Sequence, residues 1–228
     1  QQASAAHFSG SVLQQMRTVA KNPQNWVCGI YTTLMYLPIV ILGELWGVMY
    51  LTQGRGLTTV SATNITSMIF LGMIAGSPAL GFLSDKLNRR RLPMIISAFC
   101  VLLLVLLIVY VPTLSVPMLL FLFFLLGFFA CGQVISYPTM AESNPARLTS
   151  TALSIVAITL NLGSAITQPM FGWIMHWHYS SGLSVTHYRP NDYLAALIIL
   201  PVVSAIALLL SLKVKETYCK PLDESSPA

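Results

Sequence analysis

The sequence predicts an all-α membrane protein of six transmembrane helices, and three observations carry that prediction. Of the 228 residues, 55% are hydrophobic and only 8% charged, against about 25% charged in ordinary soluble domains. The mean hydropathy is +0.73. Six apolar stretches, broken inside by a formal charge at Glu44 alone, are each long enough to cross a hydrocarbon core about 30 Å thick as a helix. They far exceed the roughly 9 to 11 residues of a barrel strand and lack its strict alternation. A chain this apolar is not a soluble enzyme, a nucleic-acid-binding module or a secreted disulfide scaffold.

The elements follow in chain order. Residues 1–25 read as a polar segment in which Phe8, Val12, Met16 and Val19 recur at spacings of four, four and three. That period places them on one face of an amphipathic helix lying at the membrane surface or on neighbouring loops, with a loosely ordered linker as the alternative. The first ten residues lack the basic start and apolar run of a signal peptide, so the chain reads as beginning at an internal loop. Residues 26–212 form the bundle, with spans at 26–51, 58–84, 92–111, 116–140, 149–175 and 193–212; Pro112 and Pro117 bracket the turn into the fourth. Residues 213–228 are a charged tail, expected to be disordered after Lys220.

The net charge of +5 is topological. With six helices, ten of the twelve basic residues fall at the end that holds both termini, namely Arg17, Lys21, Lys86, Arg89, Arg90, Arg91, Arg147, Lys213, Lys215 and Lys220, leaving Arg55 and Arg189 at the other. The positive-inside rule then puts both termini in the cytoplasm of a multi-pass protein of the cell's inner membrane. No nucleic-acid partner is needed to explain the charge. Cys28, Cys100, Cys131 and Cys219 are far apart without CxxC spacing. The first three lie in apolar stretches and read as small buried hydrophobes, neither a disulfide frame nor a zinc site. No cofactor and no metal are expected; His176, His178 and His187 in an irregular outer loop read as interfacial or solvated.

Between the second and third spans stands Gly81-Phe-Leu-Ser-Asp85-Lys-Leu-Asn-Arg89-Arg90-Arg91. Gly81 permits close backbone approach, Asp85 offers an acceptor at a membrane edge, and the arginines anchor the loop in an anionic interface. This stretch closely resembles the loop signature of the major facilitator superfamily, departing from it at Asn88, where that family usually has glycine. The connection Glu142-Ser-Asn-Pro145-Ala-Arg147-Leu-Thr-Ser150-Thr-Ala152 resembles the one between the fourth and fifth helices of such a half. The resemblance implies the C-terminal six-helix half of a twelve-helix transporter, completed by a missing N-terminal six-helix half. It also implies that Asp85 approaches the start of the fifth helix near Leu148 to Thr151, that Arg89 or Arg90 pairs with Glu142, and that Gly81, Asp85, Arg89, Arg90, Glu142 and Arg147 form a cytoplasmic gate. The plainer alternative is a static salt bridge holding a loop.

Glu44 sits about seven residues from the outer end of its span, roughly 10 Å inside. A charge at such depth is costly, so Glu44 should face the bundle interior and either pair or take a proton, which makes it the candidate for coupling H+ to substrate movement. The alternative is a structural pair with Arg55 or Arg189. In the family the resemblance names, the first and fourth helices of a half line the cavity, which points to Tyr31, Tyr36, Trp46, Gln133, Ser136 and Tyr137. Asn161 and Gln168, seven apart, share a face of the fifth helix. Trp26 reads as an interfacial residue. Gly43-x-x-x-Gly47 and Gly72-x-x-x-Gly76 allow close helix crossings, and Pro38, Pro78, Pro169 and Pro201 favour kinks.

Enzymatic function lacks a Gly-x-Ser-x-Gly, a His-Glu-x-x-His or paired intramembrane aspartates, and an ATP-driven exporter lacks its phosphate-binding loop. The expected partners are the lipid bilayer, a small-molecule substrate and H+. The stretch from Leu37 to Gly47 resembles superfamily members that import amino acids or other small metabolites, with proton-coupled efflux or a non-transporting six-helix scaffold as the alternatives.

Overall fold

The computed structural model describes residues 12–178 and 190–222; Phe8, Gly10, His187, Arg189 and residues 223–228, on which some of these expectations fall, lie outside them. A helix over Val12–Lys21 precedes six spans: Pro23–Leu45, Thr59–Lys86, Arg91–Tyr110, Val116–Glu142, Ala146–Trp177 and Asp192–Ser211. The chain reverses at every connection, so the ends near residues 23, 86, 91, 142, 146 and 211 share one face of the bundle, here called the basic end.

The first span is the axis of the bundle. It packs against the fifth and the sixth, while the second packs on the fourth and the third on the sixth. Its start is defined locally: Asn22 accepts a hydrogen bond from Gln24 N at 3.1 Å and Pro23 occupies the first helical position. Pro38 then removes a backbone donor, and the helix widens to π geometry over Val40–Leu45 and again over Tyr50–Gly54. The fourth span is also irregular at mid-length, tightening to a 3-10 turn over Cys131–Ile135. Pro78 and Pro169, by contrast, sit within unbroken helices, whereas the sixth span is broken at Ile198, three residues before Pro201.

Small residues set the tightest crossing. A Cβ on Gly72 or Gly76 would run into the backbone of Phe124 or Phe128, and one on Gly127 into the Ile69 carbonyl. The second and fourth spans therefore meet backbone to backbone, which requires glycine on both sides. Gly81 differs from its expected role, since a Cβ there would meet nothing within 4 Å.

Burial is uneven. The most apolar window of the first span is 67% buried, but those of the second and fifth are only 33% and 17%. The amphipathic helix turns Val19 into the bundle and leaves Met16 exposed. Trp26 stays on the surface, its indole donating to the Ala20 carbonyl at 2.8 Å.

Candidate functional site

At the basic end, Arg90 organises a charge cluster. The residue is 7% exposed, and the guanidinium reaches Glu142 at 2.6 Å and Asp85 at 2.5 Å, with a further bond to Ser84 Oγ at 3.1 Å. Burial pulls its pKa down, but the hydrogen bonds to Glu142 and Asp85 reverse this and hold it above the ordinary arginine value. Of the two arginines expected to pair with Glu142, Arg90 does so and Arg89 is exposed to solvent. Asp85 departs from expectation: its carboxylate bonds to Arg90, five residues on, and its hydrogen bond does not run to the start of the fifth span. Arg147 lies on the 3-10 turn Ala146–Leu148 that leads into that span.

The tail completes this cluster, which the sequence reading did not foresee. Arg90, at the N-cap of the third span, offers no side-chain cap of its own. Glu216 supplies one, accepting from Arg90 N at 2.7 Å and Arg91 N at 3.0 Å. A carboxylate there satisfies orphan donors and faces the positive end of the helix dipole. Lys215 and Gln24 exchange bonds of 3.1 and 3.3 Å, Thr217 donates to Glu142, and Arg91 donates to the Leu212 carbonyl at 2.6 Å. Residues 213–220 thus strap together the basic ends of the first, third and fourth spans. The available signal was one acidic residue, Glu216, directly after two lysines at the end of an apolar helix.

The remaining candidates are spread along the first, fourth and fifth spans, with the 3-10 turn of the fourth packed on the regular part of the first. Glu44 lies in the π segment, exposed, and accepts from Tyr36 Oη at 2.9 Å. Tyr137, on the fourth span, is 36% exposed. Gln133, 6% exposed, has an amide oxygen without a partner. Trp46 lies against the fifth span, its ring 5.1 Å from that of Phe171, with an unpartnered indole nitrogen. On the same span, Asn161 is exposed and bonds back to the Ala157 carbonyl at 2.7 Å, and Gln168 is half-buried.

Other candidates belong to the packing instead. Tyr31 is fully buried and donates to the Met94 carbonyl at 3.0 Å, tying the first span to the third. Ser136 is fully buried between Thr32 and the Gln133 carbonyl. Neither side chain is accessible to a solute. Of the two partners in the alternative reading of Glu44, Arg189 lies outside the described residues, and Arg55 donates to Tyr50 Oη at 2.9 Å and to the carbonyls of Ile108 and Val111, closing the end of the third span. Among the described residues, no three His, Cys, Asp or Glu could hold a metal ion.

A bundle of six apolar spans, with one end clasped by ion pairs and two helices at its midst opened into irregular turns, defines a polytopic membrane protein of transporter architecture. Residues 27–225 match the Major Facilitator Superfamily model, and the chain belongs to that family. It is 29% identical over 211 residues to the Membrane sensor protein UhpC of Salmonella typhimurium, covering 89% of this chain and 47% of the relative. With the protein of the same name from Escherichia coli it shares 29% over 191 residues, covering 82% and 43%. The chain therefore spans about half the length of the curated relatives it matches. In fold it is similar to the inward-open xylose transporter XylE of E. coli, with a TM-score of 0.66 and 16% identity over 84% of this chain and 48% of that one.

Proposed function

We propose that this chain is the C-terminal half of a secondary active transporter of the inner membrane, which moves a small polar metabolite of the amino-acid class by alternating access and couples that movement to protons at Glu44. The observation that carries the reading is the uneven burial: the second and fifth spans, 28 and 30 residues long as helices, are the least covered of the six. Two long helices exposed on a chain half the length of its relatives call for a second six-helix half against those faces, with a solute path between the halves near the bilayer midplane. The basic end then lies in the cytoplasm, where the Arg90 cluster serves as the gate.

Proteoliposomes containing the full-length protein test this under an imposed proton gradient, with Glu44→Gln as the comparison. Gradient-driven uptake or efflux of a metabolite, lost in the variant, is the expected result. Absence of gradient-dependent flux for every solute tried overturns it. A second reading has a specific source in the two relatives named as membrane sensors: the same fold binds its solute and signals without net movement. Saturable binding without flux is the result that selects it.

A further inference from the structure

We infer that the wedge between the amphipathic helix and the fifth span binds one anionic phospholipid of the leaflet at the basic end, with an acyl chain between the two helices and the phosphate at Arg17. The inference goes beyond the transporter reading and needs only that the basic end faces an anionic leaflet. It starts from a cavity. The helix Val12–Lys21 packs on the first and fifth spans. Between Met16 and Arg17 of that helix, Trp26 of the first span and the stretch from Ser150 to Ile158 on the fifth, a cavity of about 680 Å3 remains. That volume lies within the range of about 300–1,000 Å3 typical of small-molecule sites. Apolar side chains stand open to it from both sides, since Met16 is 49% and Ile158 48% exposed.

The wall along the fifth span identifies the occupant. Ser150, Thr151 and Ser154 line the cavity near the basic end, and Ile155 and Ile158 line it further in. Eight residues at 1.5 Å each put Ile158 about 12 Å beyond Ser150. The wall therefore passes from hydroxyls to hydrocarbon within the depth of one leaflet, whose share of the hydrocarbon core is about 15 Å. A ligand matching it has a polar head at the membrane surface and a long apolar chain below. Arg17 supplies the sign. It is exposed and is the charged residue among the described residues that line the cavity, and a guanidinium grips a phosphate through two parallel hydrogen bonds. Trp26 sets the level: its indole donates to the Ala20 carbonyl while its exposed ring lines the cavity, the placement favoured where hydrocarbon meets headgroups. A free phosphate would use Arg17 and leave the apolar wall wet. A neutral lipid would cover the wall and leave Arg17 without its anion. A bound anionic lipid does both, and its chain covers Met16 and Ile158 together, holding the amphipathic helix on the fifth span.

Photolabelling tests the site. The full-length protein is placed in phosphatidylcholine nanodiscs containing a minor share of phosphatidylglycerol with a diazirine in one acyl chain, irradiated, and the labelled positions are mapped by mass spectrometry. Label should concentrate on Met16, Ile155 and Ile158. The same diazirine carried by phosphatidylcholine should label them about fivefold less, the worth of one arginine at an anionic surface. Arg17→Gln should bring the phosphatidylglycerol probe down to that level, whereas Lys21→Gln, one turn along the same helix and off the cavity wall, should leave it unchanged. Ile158→Trp fills the wedge from an exposed position and should remove the label from Met16 with Arg17 in place. Glycerol 3-phosphate in excess should not compete, because it lacks the chain. Equal labelling with the two headgroups, or equal losses in Arg17→Gln and Lys21→Gln, would show only general attraction to the membrane and overturn the inference. Competition by glycerol 3-phosphate, or an unlabelled wedge covered by the other half, would overturn it as well. Flux plays no part in the readout, so failure here leaves the transporter reading standing.

Discussion

Arg90 and Glu44 are opposite solutions to the same electrostatic problem. Arg90, nearly buried at the basic end, has carboxylates from both flanking spans on its guanidinium, and the adjoining backbone N–H groups are capped by a third carboxylate from the tail. Glu44, exposed one residue before the end of the first span, accepts one hydrogen bond among the described residues, from the Tyr36 phenol. A closed network gains geometry and loses freedom, because each member fixes the next. An open charge is poised to accept whatever neutralises it. The contrast separates a closed structural clasp from a carboxylate with a single hydrogen-bond donor.

The largest effect should come from opening the clasp. In Arg90→Ala the Glu142 side chain, 11% exposed, is left without its cation, and breaking a buried pair on one side costs about 3–5 kcal/mol. Asp85 adds little to that figure because its side chain is 66% exposed. Thermal unfolding in detergent should show a steep loss for Arg90→Ala and recovery of much of it in the Arg90→Ala, Glu142→Ala double variant. Equal melting of wild type and single variant would mean that the cluster holds nothing.

Glu216 ranks next. Glu216→Ala removes a cap carboxylate that reaches the third span from the far end of the chain, a change worth about 1 kcal/mol by analogy with helix N-caps. Hydrogen exchange localises it: the amides of Arg90 and Arg91, which donate to Glu216, should exchange faster while the middle of the third span is unchanged. Uniform behaviour along that span would show that the tail merely rests on the bundle.

How much of the clasp and of the open site could be read in the sequence depends on whether local spacing carried the information. For the signature loop it was the family resemblance that implied the pair of Arg90 with Glu142, 52 residues away, while the Asp85–Arg90 pair was not foreseen. For Glu216 local spacing carried nothing, because its partners are 125 and 126 residues away and a single charge in a polar tail has no period. The six spans followed from hydropathy, whereas the π segments did not, although Pro38 marks the point where the first one begins. The family resemblance points to both Tyr31 and Tyr36 as cavity residues, yet five positions on an α-helix turn a side chain by about 140°. They could not both face one cavity. Tyr31 instead bonds the third span and Tyr36 bonds Glu44.

Asp85→Asn should have a smaller effect than either change at the clasp. The pair with Arg90 is short at 2.5 Å but largely solvent-facing on the Asp85 side, and such pairs contribute about 0–1 kcal/mol. Whatever loss appears at low ionic strength should shrink when salt is raised, since exposed charges are screened. A salt-independent loss of the size seen for Arg90→Ala would place Asp85 inside the buried network and blur the distinction drawn between its two carboxylates.

Glu44→Gln should leave stability closest to unchanged, within about 0.5 kcal/mol, because the amide can still accept the Tyr36 hydroxyl through its oxygen and an uncompensated charge has been removed. That near-silence in melting experiments is what sets it apart from the clasp residues. The same variant should abolish proton-dependent flux in proteoliposomes, since a neutral amide does not take up and release a proton as a carboxylate does. A Glu44→Gln protein that unfolds as readily as Arg90→Ala would make Glu44 part of the framework. One that transports with undiminished proton dependence would move the coupling group elsewhere, and the contrast between closed and open charges would then describe the architecture of this half without locating its chemistry.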